Sequence, residues 1–181
     1  YLGRLHIEQK GLDLLLEALA ARKIEKKERK VALVLVGTDW QGSQARLEAM
    51  REELEIDDQV YFWGPAYNEE KFDLLSDADL FIHTSRWEGM SFAVAEALAV
   101  NGYCLLTPPA DPGGLVSVSN AGIISAESVE GIKSAIDSAI RKTEEEVVEI
   151  RQKAKTLVKE EMSWGKIAST VETGYRKFLE L

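Results

Sequence analysis

The sequence is short of the residues that most often announce a chemistry. Its 181 residues include one cysteine, Cys104, and two histidines. A single thiol cannot close an internal disulfide, which fits a reducing compartment. The cysteine and histidines are scattered without metal-ligand spacing, so no metal site is expected. There is no Gly-x4-Gly-Lys phosphate loop, no Gly-x-Gly-x-x-Gly and no Gly-x-Ser-x-Gly, which speaks against a nucleoside triphosphatase, a dehydrogenase and a hydrolase. Positive charge is in deficit: 22 lysines and arginines face 31 acidic residues, a net charge of -9. That balance argues against nucleic acid as a partner, because phosphate contacts dominate such binding. It also requires local cations to hold any anionic ligand. No apolar run approaches membrane-spanning length, and no signal peptide is visible.

What is present has the composition of a soluble globular protein, 45% hydrophobic and 29% charged, and reads as one domain over residues 1–181 with a real core. The chain opens at Tyr1 inside what reads as the end of a strand, so a fragment of a longer protein is expected. Gly3, Arg4 and Leu5 form the turn that leaves it. Residues 11–30 carry a helical pattern, with Leu12, Leu15, Leu16, Leu19 and Ile24 on one face and a charged second half. The run VALVLV at 31–36 reads as a strand buried on both faces. A surface helix at 43–54, a strand at 59–63 and a helix capped by Asn68 follow. Another buried strand is expected at 79–83. Beyond it come a helix at 92–100 capped by Ser91, a strand at 103–106 and a turn-rich segment. A short strand near 122–124 precedes three helices capped at Ser128, Thr143 and Ser163. Strand and helix alternate through five or six strands. This predicts an α/β, Rossmann-like, doubly wound parallel sheet with helices on both faces. Ligands in such folds bind at the carboxyl ends of the strands, where Arg4, Gly37, Gly64 and Glu88 should gather.

The stretch TSRWEGMSFAVAEALAVNGYCLLT, residues 84–107, is the richest in chemistry. Its helix is apolar on every side except at Glu96, so burial on most faces is expected. Glu96 lies about 8 Å of rise from the helix N-terminus, whose free N–H groups and dipole favour a phosphate. Glu88, just before the helix with Gly89 beside it, and Glu96 would flank that phosphate and accept hydroxyl donors. Hydroxyls on both sides of a diphosphate describe a nucleotide sugar. Against this, Glu88 would merely offset the helix dipole, and Glu96 would bond a backbone N–H or an arginine. Arg4, after the first strand, and Lys10, at the head of the first helix, are the nearby cations, unless both are ordinary surface residues. A lysine at a helix N-terminus faces the wrong end of the dipole, a cost a bound anion would remove. Arg86 could pair with Glu88 or Asp79.

Four segments in this order resemble retaining nucleotide-sugar glycosyltransferases of family 4 (glycosyl transferase group 1). YLGRLHIEQKGLDLLLEAL resembles their Gly-Arg then Lys-Gly segment, and RWEGMSFAVAEALAVNG their motif of two glutamates separated by seven residues. VALVLVGTD and VYFWGPAYNEEKFDLLSDADLFIHTS resemble the intervening strand-turn segments. The resemblance implies the C-terminal, donor-binding half of a GT-B enzyme, with the acceptor-binding N-terminal domain absent. It implies that Arg4 and Lys10 hold the diphosphate, Glu88 the sugar hydroxyls and Glu96 the ribose. Backbone around Gly3 and of Gly89, Met90, Ser91 and Phe92 would face the donor, and residues 63–66, including Gly64, would lie against the base. It further implies metal-independent hexosyl transfer from a UDP- or GDP-type donor, with no other cofactor. The acceptor would be a lipid or glycan, as in bacterial envelope polysaccharide assembly, and the location cytoplasmic or peripheral at the inner membrane face. The fragment alone would transfer nothing. Other readings are a non-catalytic nucleotide-sugar-binding module and another GT-B relative, a phosphorylase or nucleotide-sugar epimerase. The chain departs from the family at Asn101 and Tyr103, where proline is usual nearby, and after Gly113-Gly114, where LVSVSN replaces an early glutamate.

Overall fold

The computed structural model describes residues 1–24 and 31–179. Helices α1 (Ile7–Lys10) and α2 (Leu12–Ile24) precede strand β1 (Leu33–Val36). Then come α3 (Ser43–Glu53), β2 (Val60–Gly64), α4 (Asn68–Asp77), β3 (Phe81–His83), α5 (Phe92–Val100) and β4 (Cys104–Leu106). Two short 3-10 turns and α6 (Leu115–Val118) lead to β5 (Ile123–Ile124), followed by α7 (Val129–Arg141), α8 (Glu144–Glu161) and α9 (Trp164–Leu179). Among the described residues every ladder is parallel, as the alternation of strand and helix requires.

Side-chain alternation along the strands puts helices on both faces. In one core, Ile82 and Leu105 meet Leu12, Leu15, Leu16 and Leu19 of α2, Leu47 of α3, and Ile132 and Ile136 of α7. In the other, Phe81, Cys104 and Leu106 meet Leu75 of α4, Val94, Ala97 and Leu98 of α5, and Ala154 and Leu157 of α8. Cys104 is a core residue whose thiol pKa burial pushes up, which leaves it unreactive. A buried ion pair, Arg22 Nε to Asp137 Oδ1 at 2.8 Å, ties α2 to α7.

Several expectations need correction. Instead of one sheet of five or six strands, the described ladders form a β1-β2 pair and a β3-β4-β5 sheet. The opening segment lies along β1 through isolated bridges at Leu2 to Val36 and Leu5 to Asp39. It meets β3 through rings rather than backbone, Tyr1 stacking on His83 at 5.2 Å. An apolar groove of about 870 Å³ runs between the sheets, lined by Leu33, Val34, Leu80 and Phe81 among others. The helix expected over 11–30 begins at Leu12, with a separate short helix, α1, before it and a break at Gly11 between the two, and of its expected charged half residues 25–30 lie outside the described residues. Asn68 does not cap α4: it is the first helical residue, at φ 50°, and Tyr67 precedes it without a side-chain cap. Helix α5 is only partly enclosed, with Phe92 at its start 62% exposed. Ser91, Ser128 and Thr143 do cap their helices, Thr143 in a reciprocal box with Glu146.

Gly11 explains the break. Its φ of 60° is left-handed, and a Cβ there would collide with the Thr84 carbonyl oxygen. Gly11→Ala should therefore destabilise the protein by about 2 kcal/mol or more, strain and clash together. Urea unfolding of both proteins measures this, and equal midpoints would contradict the packing described.

Candidate functional site

Strands β1 and β2 and the opening segment bring their carboxyl ends to one rim. Gly37 N–H donates to Gly64 O at 2.8 Å, and Gly3 N–H to Val36 O at 2.9 Å. The chains are so close that a Cβ on Gly37 would overlap the Gly3 carbonyl. At the end of β3, loop 84–91 turns into α5, where Ser91 Oγ accepts the Val94 N–H at 3.4 Å. Among the described residues, the N–H groups of Gly89, Met90, Ser91 and Phe92 have no acceptor within the chain. An added Cβ on Gly89 or Gly64 would meet nothing within 4 Å, so both backbones face open space.

Beside this helix mouth, Glu88 gathers three donors on one oxygen. Its Oε1 accepts from Lys10 Nζ at 2.5 Å, Ser85 Oγ at 2.6 Å and His83 Nε2 at 3.0 Å. The Lys10 and Glu88 side chains are 10% and 9% exposed. Desolvation by itself would raise the carboxyl pKa; the His83, Lys10 and Ser85 hydrogen bonds outweigh it and hold the pKa at about 2. His83 lies between the rings of Tyr1 and Phe81. Burial lowers its pKa against the pull of Glu88. The neutral ring then carries its proton on Nε2, toward the carboxylate, and leaves Nδ1 without a partner. His83 and Ser85 were not among the residues singled out in the sequence. Their signal was their place two residues apart on the extended chain running into Glu88.

The structure brings Lys10 and Glu88 together but not the whole set. Lys10 stands directly before Gly11, whose carbonyl accepts the Leu15 N–H in the first turn of α2, so it lies at the head of that helix as expected. It is also the last residue of α1, the end where a cation is favoured. Its charge is met by the Glu88 carboxylate, which offsets the unfavourable end of the α2 dipole. Arg4 is exposed, with its guanidinium 4.8 Å from the centroid of the Trp40 ring, and it forms no ion pair among the described residues. Glu96 pairs with Lys71 Nζ of α4 at 2.6 Å, neither with an arginine nor with a backbone N–H. Arg86 pairs with neither Glu88 nor Asp79: its fork grips Asp13, Nη1 and Nη2 each at 2.8 Å. Met90 and Phe92 project outward at the helix mouth, 53% and 62% exposed. No group of three or more His, Cys, Asp or Glu placed to hold a metal ion occurs among the described residues.

A family model of glycosyl transferases group 1 matches residues 1–157. No curated protein matches. Among solved structures, Anabaena Alr3699/HepE in complex with UDP is similar at 21% identity and a TM-score of 0.76, over 95% of this chain and 47% of that one. The C-terminal domain of the group 1 protein LpcC from Francisella tularensis is similar at 20% identity and 0.75, over 90% and 84%. WaaG, a glycosyltransferase involved in lipopolysaccharide biosynthesis, is similar at 22% identity and 0.67, over 83% and 39%. The chain thus spans under half the length of HepE and WaaG. At these identities the structural likeness establishes the fold: one half of a GT-B architecture.

The Glu88 cluster predicts a pH signature. A carboxyl held at about 2 against an ordinary 4.5 contributes about 3 kcal/mol of stability. Because its folded pKa is depressed, that contribution is complete above pH 4.5 and is lost as pH falls toward 2. The stability difference between wild type and Glu88→Gln in urea should shrink across that window. A difference that stays constant from pH 5 to 2 would show that Glu88 is not held by these donors.

Proposed function

Because the chain belongs to glycosyl transferases group 1, we propose that it is the donor-binding half of an enzyme transferring a hexose from a nucleoside diphosphate. The observation that carries this reading is the buried Lys10–Glu88 pair beside the free N–H groups at the mouth of α5. A diphosphate seated there would meet unpaired donors and the positive end of a helix dipole. Lys10 would share its charge between the phosphate and Glu88. With the donors gathered on Oε1, Oε2 of Glu88 is left to accept sugar hydroxyls.

In transfer, the bond from the anomeric carbon to the diphosphate oxygen breaks, a bond from that carbon to an acceptor hydroxyl oxygen forms with its proton passing to the departing diphosphate, and negative charge grows on the leaving group. Lys10 and Arg4 would stabilise that charge, doing the work a metal ion does elsewhere. Arg4 reaches the phosphate by leaving or sharing its stack on Trp40. Glu96 would take the ribose hydroxyls, with Lys71 keeping it oriented, and residues 63–66 would border the base. Retention of anomeric configuration and independence of metal belong to this proposal. So does an acceptor of glycan or lipid-linked type, supplied by an N-terminal half. The UDP bound by HepE and the lipopolysaccharide role of WaaG support a UDP-type donor and envelope polysaccharide assembly.

Calorimetric titration with UDP, GDP and their glucose conjugates tests the reading. UDP or GDP should bind, and Lys10→Ala should weaken binding by about tenfold or more, the loss of one charged contact at the phosphate. Glu96→Gln should lose discrimination between ribose and deoxyribose nucleotides. Absence of heat with every nucleotide, or full affinity in Lys10→Ala, would overturn the assignment.

A further inference from the structure

Lys10 and Glu88 stand 78 positions apart in sequence, on a turn and a loop that share no strand pairing. Their meeting at 2.5 Å depends on how those two segments are held together. The holding is done one step away from the pair. Arg86 N–H donates to Gln9 O at 2.8 Å. Its guanidinium reaches back over α1: Nη1 donates to Glu8 O at 3.1 Å and, with Nη2, to the Asp13 carboxylate of α2 at 2.8 Å each. Thr84 Oγ1 adds bonds to the carbonyls of Lys10 and Gly11 at 3.0 and 3.1 Å. Arg86 is therefore bound, main chain and side chain, to the residues on both sides of Lys10, while standing two positions before Glu88.

An isolated surface ion pair contributes little. This one differs in kind. The fork is two-pronged and planar, which defines direction as well as distance. The guanidinium also takes up a main-chain carbonyl of α1. An added Cβ on Gly89, just beyond Glu88, would meet nothing within 4 Å, and the loop's other ties are Thr107 Oγ1, donating to Ser85 O at 2.6 Å, and Gln9 Nε2, donating to Trp87 O at 3.4 Å. We propose that Arg86, anchored by Asp13, is a positioning residue that holds the Glu88 loop against the Lys10 turn, so that the pair meets at the mouth of α5. Arg86 touches neither partner of the pair and acts through the backbone on either side. The ligand arm of its test rests on the donor-site reading above; the titration arm does not.

Three variants of the 181-residue chain decide it: Arg86→Ala, Arg86→Lys and Asp13→Asn. In the ligand-free protein the Glu88 carboxyl is titrated by 13C NMR. It should rise from about 2 by roughly one unit or more in Arg86→Ala as Lys10 is released. Arg86→Lys, a point donor without the fork, should restore part of that shift, and Asp13→Asn should resemble Arg86→Ala. UDP affinity should fall on the order of tenfold in parallel. Glu88 titrating as in wild type in a folded Arg86→Ala would overturn the proposal. If Arg86→Ala does not fold, Asp13→Asn and Arg86→Lys carry the same decision. Failure of wild type to bind UDP would count against the donor-site reading alone, because the Glu88 titration still decides the role of Arg86.

Discussion

A carboxylate removed from water is costly unless donors replace the water it loses. Glu88 finds three on one oxygen: an ammonium from the start of the chain, a hydroxyl from its own loop and a neutral imidazole from the strand before it. The arrangement of the site follows from satisfying that charge. The His83 ring must be buried and neutral, which the stacked rings of Tyr1 and Phe81 secure. The turn at Gly11 must let Thr84 approach, which only a residue without a Cβ permits.

The fold serves this by placing unrelated segments at one rim. Strands β3 and β4 divide their side chains between two cores. The sheet is thereby covered on both faces, and only its ends remain open. Loops leaving the carboxyl ends are then the places where polar groups can collect at no cost to packing. The N–H groups of Ser91 and Phe92 are free there because the start of any helix leaves them so, and those of Gly89 and Met90 because the loop before it offers them no acceptor among the described residues.

Two of the four charged residues singled out in the sequence meet directly, and two are held elsewhere, Arg4 over Trp40 and Glu96 by Lys71. Lys71 and Trp40 thereby join the list of residues that shape the site. Neither stood out in the sequence, because a lysine on a surface helix and an aromatic in a turn have many ordinary uses.

The sequence alone determined the order of elements, the two-sided burial of strands β3 and β4, and the helix caps at Ser91, Ser128 and Thr143. These depend on local periodicity and on residues within a few positions of each other, which a linear reading can follow. Only the tertiary structure decided the pairings: Lys10 with Glu88, Lys71 with Glu96, Arg86 with Asp13, and His83 with Glu88. A charged side chain reaches several ångströms in any direction, so its sequence position does not name its partner. Distances of 25 to 78 positions separate three of those pairs, and the choice among many possible partners is made when the packed strands and helices leave only one within reach.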